Sequence, residues 1–288
     1  MHVIAKETWQ LARVHHEQVV QHWVSNRLHR RSHGLKHPVD DFLFEYYPIS
    51  ANKLATWHPG IGIALEIDDE TKTYFDPTIY QIELSELRVD SNWPEKKKKE
   101  LKNTIEFLES TANRPPQTGC FGLHEWAMVL HADEVRHFDW PLRVSQNEIE
   151  KTIKDVGLRC THFDAFRFFT EQARPLNPLQ IVRADQKKLE QPGCLHANMD
   201  LYKIAHQWAP ILGSVFVRSC FRLAKSIRTL DMQGAPYDLS KLGVQPIPLE
   251  TPTGRAEFAQ RQKSFSSHAQ ILRHRLIARL SSVARTLN

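Results

Sequence analysis

Three short stretches each carry a cysteine, a histidine and a carboxylate beside aromatic side chains. Residues 120–128 read CFGLHEWAM, with His124 and Glu125 adjacent and Trp126 next. Residues 159–170 read RCTHFDAFRFFT, with His162 two before Asp164 and four phenylalanines in the same span. Residues 189–202 read LEQPGCLHANMDLY. There Pro192-Gly193 is a turn signal, and His196 and Asp200 stand four apart, on one face of the helix that follows. Three of the four cysteines fall in these stretches. Buried polar clusters of this kind need partners, so residues 120–126, 160–168 and 194–202 are expected to line one concave site.

Those residue types admit three chemistries. Histidine, cysteine and carboxylate are the ligands that zinc or iron takes. His124, His162, His196, Cys160 and Cys194 are therefore candidate metal ligands, although no CxxC pair and no HExxH occurs. A cysteine with a histidine base would be a nucleophile, but no nucleophile elbow frames any of the pairs. Carboxylates among aromatics suit hydrolysis of an N-glycosidic bond. Aromatic faces hold an extruded base, and a carboxylate activates water or stabilises the positive sugar. Asp164, Glu125 and Asp200 are the candidate catalytic carboxylates in that order, with His196 orienting base or water. Trp126, Phe163, Phe166, Tyr202 and Asn198 are the candidate substrate contacts. The same inventory suits a free purine or another planar metabolite.

The elements that must position these residues read as mainly helical. Apolar residues recur at helical spacing from Lys6 to Arg31, around a histidine- and arginine-rich exterior. Asp40 or Asp41 is placed to cap a short helix through Phe42 and Tyr46. Ile61 to Ile67 and Lys72 to Phe75 read as a small hairpin across DDET. Trp93-Pro94 opens a helix with Leu101, Ile105 and Leu108 inward. Asp139 to Val144 reads as a strand and Gln146 to Val156 as a helix. Thr161 is placed to cap the DAFRFF helix, with Asp164 in a capping box. A long helix runs from Ile211 to Leu230, and a last one from Thr253 to about Leu287. No repeat or linker interrupts this order, so the expectation is α+β, mainly α with a small β-hairpin element, in one globular domain over residues 1–288.

With 288 residues, 41% hydrophobic and 25% charged, the chain can bury a substantial core. Its formal net charge of +5 permits a polyanionic partner. Arg261, Lys263, Arg273, Arg275 and Arg279 on the last helix are the candidate DNA-binding residues, with double-stranded DNA as the expected partner. No apolar leader and no apolar run of membrane-spanning length is present, and the cysteines are expected reduced, so a cytoplasmic location is expected.

The blocks RPPQTGCFGLHEWAMV, RCTHFDAFRFFT, EQPGCLHANMDLYK and ETPTGRAEF, with HPVDDFLFEYYP and WHPGIG nearer the N-terminus, cover most of the chain. Together they resemble a family of bacterial proteins of about this length named 3-methyladenine DNA glycosylase. The resemblance implies release of an alkylated purine by hydrolysis of its N-glycosidic bond, a step in DNA repair. It transfers no catalytic residue, and the chain lacks the helix-hairpin-helix loop of another alkyl-base glycosylase class. The alternatives are a zinc- or non-haem-iron-dependent hydrolase or oxygenase acting on a small molecule, and a non-enzymatic nucleic-acid-binding module.

Overall fold

Thirteen α-helices and a small four-stranded sheet make up the computed structural model, which describes residues 2–132 and 140–287. Strand β1 (His2–Ile4) precedes helices α1 (Lys6–Ser32), α2 (Phe42–Tyr46) and α3 (Ala51–Ala55). Strands β2 (Ile63–Glu66), β3 (Tyr80–Glu83) and β4 (Glu86–Val89) follow. Then come α4 (Asn92–Lys96), α5 (Lys98–Ala112), α6 (His124–Ala127), α7 (Gln146–Val156), α8 (Phe163–Phe166) and α9 (Gln186–Leu189). The chain ends with α10 (Leu195–Gln207), α11 (Ala209–Leu212), α12 (Ser214–Gln233) and α13 (Pro252–Thr286). The fold is mainly α with a small β element, as the hydrophobic periodicity predicts. No helix among the described residues is long and apolar enough to cross a membrane. The chain divides into two compact units.

The first unit comprises residues 2–108, 202–222 and 274–287. Its sheet has the order β1-β2-β4-β3, parallel between β1 and β2 and antiparallel elsewhere. Trp9, Leu65, Phe75, Tyr80 and Leu87 form a buried cluster. Trp9 also donates its indole N–H to Glu66 O at 2.8 Å, which satisfies the polar edge of a fully buried ring.

The expected hairpin is only half right. Ile63–Glu66 is a strand, but residues 71–74 form a 3-10 turn. Asp68 Oδ1 accepts from both the Thr71 amide (2.9 Å) and its hydroxyl (2.7 Å). That local turn competes with strand pairing. The hairpin is instead β3–β4, turning at Leu84 and Ser85, both with positive φ. Asp41 likewise does not cap α2 with its side chain; its carboxylate accepts from Arg30 at 2.6 Å and from the His37 amide at 2.9 Å.

The second unit comprises residues 109–132, 140–201 and 223–273. Helix α7 begins with a capping box between Ser145 and Glu148. Of the strand expected at 139–144, Asp139 lies outside the described residues, and the remainder makes an isolated bridge between Leu142 and Tyr237. Trp126 is a core residue whose indole donates to Gly234 O at 2.7 Å. Phe258 of α13 is wedged against Gly122 and Gly234, where an added Cβ would come within 2.8 and 2.5 Å of its ring.

Candidate metal centre

Around the Pro-Gly turn, side chains replace the regular backbone pairing that a buried loop lacks. Gln191 Oε1 accepts from the Gln117 amide (2.8 Å) and the Gly193 amide (2.7 Å), and its Nε2 donates to Gln117 O (3.0 Å). Helix α13 holds the same turn from another side. Gln262 donates to Gly193 O (2.7 Å), Ser266 donates to Pro192 O (2.7 Å), and Arg273 donates to Asn198 Oδ1 (2.7 Å). Asn198 in turn donates to Pro192 O at 2.9 Å. Asn177 exchanges two hydrogen bonds with the Cys160 backbone, at 2.8 and 3.2 Å. The three sequence stretches are thereby brought together.

They share one cavity, lined by Cys120, His124, Cys160, His162, Cys194 and His196 among others. Its volume of about 20 Å³ is room for about one water molecule. The imidazoles form a row. The His196 ring centroid lies 4.6 Å from that of His124 and 5.2 Å from that of His162.

Carboxylates complete two groups around this row. His124, His196 and Asp231 form one, and His162, Glu190 and Asp200 the other. In each, one ligand atom per residue lies within 4.8 Å of the others, and all six residues are buried. His124 Nε2 is 2.9 Å from Asp231 Oδ1, and His162 Nε2 is 3.1 Å from Glu190 Oε1 and 3.5 Å from Asp200 Oδ2. None of His124 Nε2, His162 Nε2 and Asp231 Oδ1 makes a hydrogen bond. The atoms are close but out of line for N–H···O geometry. Neither group includes Cys160 or Cys194. Burial pushes the Cys160 thiol up to about 12 and the Cys194 thiol well up too, which disfavours the thiolate that binds metal.

Charge explains the remaining partners. Arg228 donates through one nitrogen to Glu125 Oε1 (2.7 Å) and Asp231 Oδ2 (2.6 Å). The second unit buries the carboxylates Glu125, Glu190, Asp200 and Asp231 against two guanidiniums, Arg228 and Arg273. Burial is the largest influence and works to lower the His124 pKa, but Asp231 and the Glu125 charge together outweigh it and the net shift is upward. Burial opposes His162 in the same way, and Glu190 and then Asp200 raise it to about 10. His196 is driven well down by burial and by the two neighbouring histidines. A divalent cation would displace the protons of His124 and His162 and supply the same two charges.

The other expected site residues scatter. Glu125 is locked to Arg228 rather than open to a substrate. Asp164 is half-buried at the start of α8 and pairs with Arg167 (3.1 Å) and Arg183 (3.3 Å). It does not form the expected capping box, because α8 starts from His162. Trp126 is fully buried in the core, and Phe166 packs on Phe169. Phe163 lies under the Arg183 guanidinium at 4.8 Å. Tyr202 belongs to the first unit, edge-on to Tyr47 and Phe221. Asn198 holds the Pro-Gly turn rather than facing the cavity.

Arg273 is 1% exposed, so it cannot meet a phosphate; its fork is consumed by Gln270 on one arm and by Asn198 and the Ala197 carbonyl on the other. Arg261 and Lys263 are exposed in the second unit, Arg261 pairing with Glu257 at 2.7 Å. Arg275 and Arg279 belong to the first unit, where Arg279 donates to Leu212 O at 2.7 Å.

Sequence reasoning missed Asp231, Glu190 and Arg228. Arg228 and Asp231 interrupt the inward stripe of α12 between Ile227, Leu230 and Met232, all buried. A charged pair three apart inside an apolar stripe was the available signal. Glu190 sits two residues before the Pro-Gly turn, where it reads as a helix end. No family model, curated protein or solved structure matches this chain.

Proposed function

We propose that this protein is a metal-dependent enzyme acting on a small molecule, with His124, His196 and Asp231 holding one divalent ion. The observation that carries this reading is the buried His124 Nε2–Asp231 Oδ1 pair, 2.9 Å apart with neither atom in a hydrogen bond. Metal–ligand bonds of about 2.0–2.2 Å hold neighbouring ligand atoms about 3 Å apart, so the separation suits two ligands of one ion. Two imidazoles and one carboxylate make the donor set of non-haem ferrous oxygenases. The same donors serve zinc with a bound water. Arg228 bonds Asp231 through the oxygen not offered to the group, fixing the carboxylate from behind. The narrow cavity beside the imidazoles restricts access to a small reactant.

Metal analysis of protein purified without a tag or added metal is the test. Near-stoichiometric iron supports the oxygenase form, and zinc supports the hydrolase form. Protein that purifies metal-free and fails to bind iron, zinc or manganese on titration would sink the reading.

The glycosylase activity that the resemblance implies keeps one supporting observation. Asp164 stands beside Phe163 with Arg167 and Arg183, both exposed, around it. Metal-replete protein would then release 3-methyladenine from alkylated duplex DNA. Its DNA affinity would fall with salt by a log–log slope of about −0.9 per phosphate contact. Absence of base release removes this reading.

A further inference from the structure

The second His/carboxylate group has its own unexplained atoms. His162 is fully buried, and neither of its ring nitrogens makes a hydrogen bond. An imidazole, neutral or protonated, makes hydrogen bonds at both nitrogens, and buried polar atoms are rarely left unpartnered. Yet Nε2 is surrounded at 3.1 and 3.5 Å by oxygens of two carboxylates on different segments. Glu190 reaches it from the end of α9, its Oε1 steadied by Gln186 Nε2 at 2.6 Å, and Asp200 reaches it from α10. The Glu190 carbonyl is anchored in turn by Arg114 at 2.8 Å. Such support on a carboxylate is what a ligand needs to be held in place before an ion arrives.

Resting on the metal-dependent reading above, we infer that the centre is dinuclear: a second divalent ion is held by His162, Glu190 and Asp200. The donors are one imidazole and two carboxylates, harder than the first set, which suits manganese, iron or zinc. Paired metal ions in enzymes stand about 3.5–4 Å apart and act together on one bound oxygen species. The water-sized cavity, lined by both His124 and His162, is the place for it. The reactant class is then a small oxygen ligand, water or dioxygen, shared by two ions.

The test counts ions. Wild-type protein, stripped and titrated with Mn²⁺, is expected to bind two equivalents and to give an exchange-coupled electron paramagnetic resonance signal. His162→Gln and Asp200→Asn are each expected to bind one equivalent and to show an uncoupled Mn²⁺ spectrum, with circular dichroism matching wild type. His124→Gln is expected to keep one ion as well. One equivalent in the wild type, retained by His162→Gln, overturns the dinuclear assignment and leaves the single-metal reading standing. No binding in the wild type overturns both. The wild-type spectrum decides the matter alone if the variants fail to fold.

Discussion

Arg228 is where the charge balance of the second unit is most exposed to test. Its side chain is 1% exposed and bonds two buried carboxylates through a single nitrogen. Removing one partner of a buried pair leaves uncompensated charge, at a cost of about 3–5 kcal/mol. Arg228→Leu is therefore expected to lower the unfolding free energy by about that amount in a urea melt, and Glu125→Gln made on top of it to recover part. A full-stability Arg228→Leu would mean the carboxylates are not both ionised. Asp164→Asn is the contrasting change: its carboxylate meets only exposed arginines, and such pairs contribute about 0–1 kcal/mol. Metal content and melting temperature should stay at wild-type values. At this scale the three histidines were legible, because each follows a cysteine or precedes a carboxylate in a short motif. Their carboxylate partners were not. Asp231 lies 107 residues beyond His124 in the numbering, and only the fold supplies that pairing.

Helices were readable where an apolar stripe or a cap marks them, as in α1 and in α7 with its Ser145/Glu148 box. The sheet was not. β1 is three residues long and pairs in parallel with a strand some 60 residues away, so no local period announces it. The turn at Pro192-Gly193 was plain in sequence, but its purpose was hidden. A Cβ at Gly193 would lie 2.4 Å from Gln117 O, closer than any side chain tolerates. The Gln191–Gln117 pairing that fixes the cavity's edge therefore depends on glycine there. Gly193→Ala is expected to push the two segments apart and to destabilise by about 1–3 kcal/mol, with a matching fall in metal affinity measured by titration. An alanine variant that binds metal like the wild type would show that this turn does not position α10. The α13 contacts make the same point from the opposite direction. Arg273, a nucleic-acid candidate in sequence, is buried together with Gln262 and Ser266 of the same helix, so an apparent nucleic-acid surface is in part internal scaffolding.

Over the whole molecule, acid should act through histidines buried in the neutral state, His196 in the second unit and His16 and His58 in the first. His16 is fully buried between two fixed partners. Its Nε2 lies 3.0 Å from Leu54 O, and its Nδ1 2.8 Å from an Arg218 nitrogen. Only the tautomer with the proton on Nε2 satisfies both, since the carbonyl must accept and the guanidinium must donate. Protonating Nδ1 would set two donors against each other. Burial first, and then the Arg218 charge, lower the His16 pKa from 6.5 to about 4. His58, its Nδ1 2.7 Å from the Tyr80 hydroxyl, is lowered to about 4 chiefly by burial, with smaller effects from His206 and His16. The unfolded chain thus takes up protons near pH 6.5 that the folded chain refuses until about pH 4. The stability these histidines contribute is full above pH 6.5 and is lost as pH falls from there through 4. One pKa unit is worth about 1.4 kcal/mol, so each histidine represents on the order of 1–3 kcal/mol over that range. Urea midpoints followed by tryptophan fluorescence, with Trp9 and Trp57 reporting on the first unit, should fall steadily between pH 6.5 and 4. His16→Gln keeps one acceptor for Arg218 and one donor for Leu54 O but cannot take up a proton. It should lower stability modestly at pH 7 and flatten the acid slope. An acid slope unchanged in that variant would move the proton uptake to other groups and leave His16 a structural bridge between α1, α3 and α12 alone.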